Sequence, residues 1–383
     1  MTLRSMALAG LTVVSVMWLS HGRPSAQQAT EEELTASPYT LLHGNLDVPQ
    51  RVARNERLAA LAEAAGDHAR AARHFAIACA EGSQYAIDAK MSAPACARAR
   101  ELSDRHGLVD VKVHLLTVPA YLRYASFNFQ GAVAAYQEAV ALGAGVNPAI
   151  ADHGGILIAH HGLGTSLLEA GRWDEGRREL TFTRDHCRIA GNSVCAAFAN
   201  MMLCRMHAGL GDFGQARTAC EAARIEYAVG HDQGARVILG WVVGTMEAFA
   251  GRPAASLAAL EDAWQASDRR GSEGLRPILA QLIVDALVHL NRLDEAETWQ
   301  QDLDQGLQDG RVPFFFGPQI AMRRGQIAAR RGRLEDAEAA FTIGSRSMSL
   351  LATCMLQTYT LHRRTQALSR KLTERFLHPA RLG

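Results

Sequence analysis

Histidine is the residue type that comes closest to suggesting a chemical site in this 383-residue chain. His153, His160 and His161 form one cluster. Because His153 and His160 are seven residues apart, they lie on one face of a helix. A metal site would need a third ligand. We therefore interpret these histidines as exposed or groove-lining side chains and predict no metal site.

Motifs of common catalytic and nucleotide-binding sites are missing from the sequence. It contains no G-x-S-x-G, G-x-x-x-x-G-K-[ST], H-E-x-x-H or C-x-x-C pattern. The glycines at Gly162 and Gly164 come nearest to a nucleotide-binding run, but a third glycine is missing and helix packing explains them. We predict that the protein is not an enzyme and uses no cofactor. An enzyme with an unrecognised site is the alternative.

Composition excludes several classes of protein. The chain is 48% hydrophobic, enough for a large core, which excludes a disordered chain. Forty Lys and Arg residues oppose 39 Asp and Glu residues, so no chain-wide basic field is available to attract nucleic acid. We expect no nucleic-acid partner. Only three of the forty cations are lysines, which is typical of a GC-rich bacterial genome.

The N-terminus has the order of parts of a secretory signal peptide. Arg4 precedes a mostly apolar run of fourteen residues from Met6 to Leu19, and a stretch of small residues then ends near Ala26. A membrane-spanning helix needs about 20 apolar residues. We predict a signal peptide over 1–26, a polar tether over 27–50 and an exported, periplasmic or secreted protein with no membrane span in the mature chain. An uncleaved membrane anchor is the alternative.

One pattern recurs seven times: a small residue, an aromatic or aliphatic residue four positions on, and a small residue three further. The sixth copy departs from it, because Gln300 stands at the aromatic or aliphatic position. We call the first member the reference residue of its repeat. The reference residues are Ala71, Ala132, Gly176, Ala216, Ser256, Ala296 and Ala337, at intervals of 61, 44, 40, 40, 40 and 41. This spacing places the three members on one helical face.

Two further columns accompany the pattern. Five residues before the reference residues stand Gly66, Phe127, Gly171, Gly211, Gly251, Asn291 and Gly332. Twelve before stand Ala59, Ala120, Gly164, Cys204, Gly244, Val284 and Gly325. The first column indicates a turn with a permissive backbone, and the second indicates two closely packed helices. We predict an all-α stack of about seven antiparallel hairpins over 51–350, an extra helix over 86–106 and a capping helix over 351–383.

At these residues the chain resembles the tetratricopeptide repeat family. The resemblance is clearest in Leu163-Gly164 followed by 170–175 (AGRWDE), and in 293–296 (LDEA). It implies a right-handed superhelical solenoid. The period near 40 exceeds the family's usual 34, and the proline common at the end of the second helix is missing. Both departures are typical of the long-repeat variant.

The resemblance also implies a binding face. In this family the first helices of the hairpins line a concave groove, at positions that match fifteen and eleven residues before the reference residue. These positions hold Tyr121, His161, Thr165, Met201, Arg205, Trp241, Thr245, Gln281, Asp285, Met322 and Gln326, with Thr117 at the start of the row. The expected function is a scaffold that binds a protein or peptide of unknown identity. Two alternatives remain. One is a solvated groove with some packing of these residues against the neighbouring hairpin. The other is a sensor or regulatory arm of a bacterial signalling or transcription-activation system.

Six of the seven cysteines fall at positions that suggest disulfides in an exported protein. Cys187 and Cys195 are symmetric about Gly191, the expected loop between two hairpins. Cys204 and Cys220 are symmetric about a hairpin turn, and Cys79 and Cys96 flank the expected extra helix. Cys354 is left over. Free cysteines packed in the core are the alternative.

Overall fold

The computed structural model describes residues 36–39, 48–84, 89–125, 128–230, 233–267, 275–312 and 316–351. Within these ranges the chain forms fifteen α-helices and no strand, which confirms the predicted all-α class. The predicted signal peptide (1–26) lies outside the described residues. So does the predicted capping helix (351–383), apart from its first residue.

The helices, numbered in chain order, follow one another with short connections. They are α1 Val48–Ala64, α2 His68–Gln84, α3 Ala89–His106, α4 Val109–Ala125, α5 Phe129–Leu142, α6 Gly154–Glu169, α7 Trp173–Ile189, α8 Ser193–Leu210, α9 Phe213–Gly230, α10 Gln233–Phe249, α11 Pro253–Ala266, α12 Arg276–His289, α13 Leu293–Gln308, α14 Gly317–Arg330 and α15 Leu334–Leu351. A short 3-10 turn at Ala151–His153 precedes α6.

Seven antiparallel hairpins form a stack. In order they are α1–α2, α4–α5, α6–α7, α8–α9, α10–α11, α12–α13 and α14–α15, and each packs on its neighbours. Helix α3 is additional and packs against α2, where the sequence predicted an extra helix from the long first interval. The helical-repeat solenoid is therefore confirmed.

The turns inside the hairpins show why the glycine column exists. Gly66, Gly171, Gly211, Gly251 and Gly332 all have φ between 72° and 82°, in the left-handed region that only glycine enters without steric cost. Asn291 takes the same place with φ 59° and is the only non-glycine residue with positive φ in the described part of the chain. Asparagine is among the few side chains that tolerate this conformation.

The small-residue column lets the two helices of a hairpin approach closely. A Cβ atom added to Gly164 would lie 2.8 Å from Leu180 Cγ. The corresponding distance is 2.5 Å from Gly244 to Leu260 Cγ. Both are far inside van der Waals contact, so in these two hairpins the leucine of the second helix packs where the first helix has a glycine.

Three disulfides join six of the cysteines. They are Cys79–Cys96, Cys187–Cys195 and Cys204–Cys220, with Cα atoms 4.7, 5.7 and 5.2 Å apart. These separations suit a disulfide bond. The first joins α2 to α3, the second joins hairpin 3 to hairpin 4, and the third lies inside hairpin 4. Cys204 and Cys220 occupy the two positions that Gly244 and Leu260 hold in hairpin 5. Cys354 lies outside the described residues.

Part of the segment predicted as a polar tether is in contact with the repeat. Pro38 is buried, and Ser37 Oγ donates a hydrogen bond to the Ala151 carbonyl oxygen at 3.0 Å. Helix α1 begins at Val48, so 48–50 belong to the first hairpin. The term tether is therefore wrong for 36–39 and 48–50. No helix in the described ranges is long and apolar enough to cross a membrane.

Candidate binding surface on the first helices

The first helices of hairpins 2 to 7 carry one continuous row of half-buried side chains. This row, which we call the polar row, lies eleven residues before the reference residues. Its members are Tyr121, Thr165, Arg205, Thr245, Asp285 and Gln326. All six side chains are half-buried, and each belongs to a different hairpin. The structure thus places one partly accessible side chain per repeat on this face.

The row fifteen residues before the reference residues, the middle row, is mostly core. Thr117, Met201, Gln281 and Met322 are buried, and only His161 and Trp241 are half-buried. The prediction that Met201, Gln281 and Met322 line a groove is therefore wrong.

Each buried member of the middle row has a packing reason. Met201 belongs to the apolar core that α8 shares with α9 and α10. Gln281 is held by Arg323, whose Nη1 donates to Gln281 Oε1 at 3.0 Å. Met322 packs on α15, where a Cβ added to Gly344 would lie 2.7 Å from Met322 Sδ.

A third row, which the sequence analysis did not single out, completes the face. It lies eighteen residues before the reference residues, and we call it the apolar row: Ile158, Phe198, Ile238 and Ile278. All four are half-buried large apolar side chains. Positions 18, 15 and 11 before the reference residue are separated by three and four residues and share one helical face. Extending the sequence analysis from the middle row by one helical turn toward the N-terminus of each helix would have identified this row.

An aromatic cluster surrounds His161 in the middle row. The His161 and Phe198 ring centroids are 6.3 Å apart in an edge-on arrangement, and Phe198 meets the Tyr227 ring in the same way at 5.7 Å. Burial lowers the pKa of His161 to about 4, so its ring is neutral at pH 7. His161 Nδ1 and Thr165 Oγ1, one turn apart on α6, are buried without a hydrogen-bond partner among the described residues.

Trp241 connects two cores. Its half-buried indole packs against the cluster built from hairpins 3 to 5 and against the cluster that contains Leu279 and Ile283 of α12. It therefore has a structural role in addition to the binding role expected from the sequence.

The charged side chains of this face are paired within the protein. Arg205 forms an ion pair with the buried Glu169 of α6. Arg323 Nη2 donates to Asp285 Oδ2 at 2.7 Å. Burial raises the pKa of Asp285, and the nearby Arg323 opposes that shift. Cation and anion are matched in both places, so apolar contact and hydrogen bonding are what this surface offers a partner.

The histidines of the cluster contact different residues. His160 Nδ1 lies 2.7 Å from Glu179 Oε2, and its ring lies 4.3 Å from that of Phe182. His153 Nδ1 lies 2.8 Å from the Asn147 carbonyl oxygen. The described ranges contain no group of three or more His, Cys, Asp and Glu residues that could hold a metal ion.

A family model described as tetratricopeptide repeat matches residues 157–180 and 198–222. These two segments lie in hairpins 3 and 4, and the other hairpins repeat the same geometry. Over these two segments the chain is similar to tetratricopeptide repeat proteins.

Two solved structures were compared with this chain, and the first of them shows the same kind of fold. The structure of a Rap protein complexed with competence and sporulation factor superposes with a TM-score of 0.56 at 10% identity, covering 85% of this chain and 94% of that one. A tetratricopeptide repeat protein from Parabacteroides merdae ATCC 43184 gives a TM-score of 0.44 at 12% identity, covering 80% and 99%. A comparison with curated proteins found no match. The likeness to the Rap protein structure concerns the fold alone.

Proposed function

We propose that this tetratricopeptide-type protein is a non-enzymatic scaffold that binds an extended segment of a protein or peptide on the first helices of hairpins 3 to 6. The apolar row carries the proposal. Large apolar side chains that stay half-exposed in successive repeats are typical of an interaction site. The polar row beside it supplies hydrogen-bonding groups along the same track.

The spacing of the rows indicates the form of the partner. Consecutive first helices of these hairpins are in contact, and helices that pack together have axes about 8 to 10 Å apart. A polyproline-type segment advances about 9 Å in three residues. A segment with an apolar side chain at every third position would therefore meet Ile158, Phe198, Ile238 and Ile278 in register.

The paired charges indicate how the partner is recognised. Arg205 and Asp285 are already neutralised by Glu169 and Arg323. Binding should therefore change little between low and moderate salt, because no unpaired surface charge is being screened. The fold likeness to a Rap protein crystallised with a bound factor supports the view that such a solenoid can hold a partner.

Selection from a random peptide library displayed on phage tests the proposal. We expect enriched peptides with apolar residues at every third position. Ile238→Ser should weaken the selected peptides at least about tenfold, and Trp241→Ala should weaken them by about 2 kcal/mol or more, as an interface anchor does. Because Trp241 also packs in two cores, the melting temperature of that variant must be measured alongside.

A matched control is available on the outer side of the stack. Ile225 in α9 is 55% exposed, so Ile225→Ser makes the same chemical change away from the first helices. Its binding should equal that of the unmodified protein. The proposal fails if no peptide is enriched, or if the substitutions at Ile225 and Ile238 reduce binding equally.

We further propose that the protein is exported from a bacterial cell into the periplasm or the medium. The signal-like residues 1–26 and the three disulfides support this location, since disulfides persist in oxidising compartments. Fractionation of producing cells tests it, together with the N-terminal sequence of the recovered protein. Recovery in the cytoplasm with an intact Met1 would contradict export.

A further inference from the structure

A socket for a tyrosine side chain lies at the edge of the stack, where α4 and α6 begin. The ring of Tyr39 occupies it, resting on the paired glycines at the start of α6. A Cβ atom added to Gly154 would lie 2.4 Å from Tyr39 Cγ, and one added to Gly155 would lie 3.3 Å from the Tyr39 hydroxyl oxygen. Any side chain at Gly154 would therefore fill the space that the ring needs.

The socket also has a polar end. The Tyr39 hydroxyl oxygen lies 3.3 Å from His114 Nδ1, and the two ring centroids are 5.4 Å apart. Burial lowers the pKa of His114 to about 4 and raises that of Tyr39 well above its ordinary value. A neutral imidazole thus faces a neutral phenol, which can donate its proton in a hydrogen bond. The buried ion pair of Arg73 and Asp110, at 2.9 Å, lies nearby.

The backbone beside the ring is held as well. Asn192 Nδ2 donates to the Tyr39 carbonyl oxygen at 2.9 Å, while Asn192 Oδ1 accepts a hydrogen bond from the Cys195 amide as the N-cap of α8. Two residues earlier, Ser37 Oγ donates to the Ala151 carbonyl oxygen. Pro38 between them is buried. Three consecutive residues are therefore recognised through side chain and main chain together.

These contacts resemble the recognition of a short peptide ligand more than the packing of a helical repeat. Residues 36–39 belong to no hairpin, and eight residues separate Tyr39 from the start of α1. Their release would therefore leave the hairpin contacts in place. Hydrogen bonds to a main-chain carbonyl combined with a pocket for one side chain are a common means of recognising a short peptide.

We propose that this socket is a second binding site, separate from the first-helix face, that takes a proline–tyrosine segment of a partner protein and is held closed by the chain's own Ser37-Pro38-Tyr39. The internal segment competes at an effective concentration in the millimolar range, as short tethered ligands do. A partner segment must displace it. The N-terminal region thereby regulates access to the socket.

Binding of a labelled synthetic peptide with the sequence of residues 35–41 to the full-length protein tests this, read by fluorescence anisotropy. Tyr39→Ala empties the socket and should bind the peptide at least about tenfold more tightly than the unmodified protein, whose socket is filled. The double variant Tyr39→Ala with Gly154→Ala should not bind, because the added methyl group occupies the ring position. A peptide with alanine in place of its tyrosine should not bind to any form.

Asn192→Asp provides a second, independent variant. The aspartate can still cap α8 by accepting from the Cys195 amide, but it cannot donate to the Tyr39 carbonyl oxygen. It should increase amide hydrogen exchange at Ala36, Ser37 and Tyr39 without changing exchange in α8. If Tyr39→Ala does not fold, hydrogen exchange in Asn192→Asp tests whether residues 36–39 can leave the socket.

Two outcomes overturn the proposal. The peptide could bind Tyr39→Ala no better than the unmodified protein, which would mean that residues 36–39 are a structural part of the edge only. Exchange at 36–39 could also remain unchanged in Asn192→Asp. Ile238→Ser should leave binding of this peptide unchanged, so failure here is distinguishable from failure of the first-helix proposal.

Discussion

Gly244→Ala is expected to destabilise the protein even though alanine is the better helix former. Gly244 is buried in α10, and the new methyl group would lie 2.5 Å from Leu260 Cγ and 2.6 Å from Leu260 Cδ2. Overpacking a core in this way costs about 1 to 3 kcal/mol. Alanine in place of glycine within a helix returns about 1 kcal/mol. The net change is therefore about 0 to 2 kcal/mol of destabilisation.

Gly209→Ala in α8 is the matched control. Gly209 is exposed, and its added methyl group would meet only the Trp173 ring, at 3.4 Å, an ordinary contact distance. This substitution should stabilise the protein by up to about 1 kcal/mol. The difference between the two variants isolates the steric cost inside the hairpin. Urea unfolding followed by far-ultraviolet circular dichroism measures both.

A double-mutant cycle with Leu260→Ala checks the cause. Leu260→Ala alone should cost about 2 to 5 kcal/mol, as other buried leucines do. In that background Gly244→Ala should become neutral or stabilising, because the overlapping atoms are gone and part of the cavity is filled. Equal stabilisation by Gly244→Ala and Gly209→Ala in the unmodified protein would refute the close approach of the two helices.

Three further outcomes are expected. In thermal unfolding, Asn291→Gly should keep or slightly raise stability, whereas Asn291→Val should lower it by about 1 to 2 kcal/mol. Glycine adopts the left-handed turn conformation at no cost and valine does not. Equal effects of the two substitutions would contradict this. Alkylation of the denatured, unreduced protein should modify one cysteine, Cys354, as read by peptide mass spectrometry, and modification of seven would contradict the disulfides. The free energy of unfolding should be constant above pH 6.5 and decrease as the pH falls from 6.5 to about 4. Burial lowers the pKa of His74, His114 and His161 from 6.5 to about 4, so the unfolded chain binds more protons than the folded chain in that pH range. A loss of stability only below pH 4 would contradict this.

Local patterns predicted the repeat well because each rests on neighbouring residues. The glycine column predicts a residue with positive φ at the turn inside each hairpin, and the five glycines and Asn291 have left-handed φ values. The long first interval indicated an additional helix, and α3 is present. Even Asn291, which breaks the run of glycines, could be assigned to the turn because asparagine tolerates positive φ.

Exposure along the first helices was harder to predict because it depends on how the hairpins stack. The resemblance placed the middle row on the surface, yet Met201 is fully buried by the neighbouring hairpins. A one-turn shift toward the N-terminus of each helix was needed to find Ile238 and its equivalents. The docking of Tyr39 joins residues 153 positions apart in the sequence, and no spacing rule connects it to Asn192.

The distribution of the disulfides divides the solenoid mechanically. All three lie between Cys79 and Cys220, whereas 221–353, which contain hairpins 5 to 7, have no cysteine. In a stacked repeat each hairpin is supported only by its immediate neighbours, so an applied force can peel hairpins away one by one. A pull on the two ends should therefore first separate hairpins that no disulfide joins, which are hairpin 2 and hairpins 5 to 7. Hairpins 3 and 4, which Cys187–Cys195 links, would stay together as one unit.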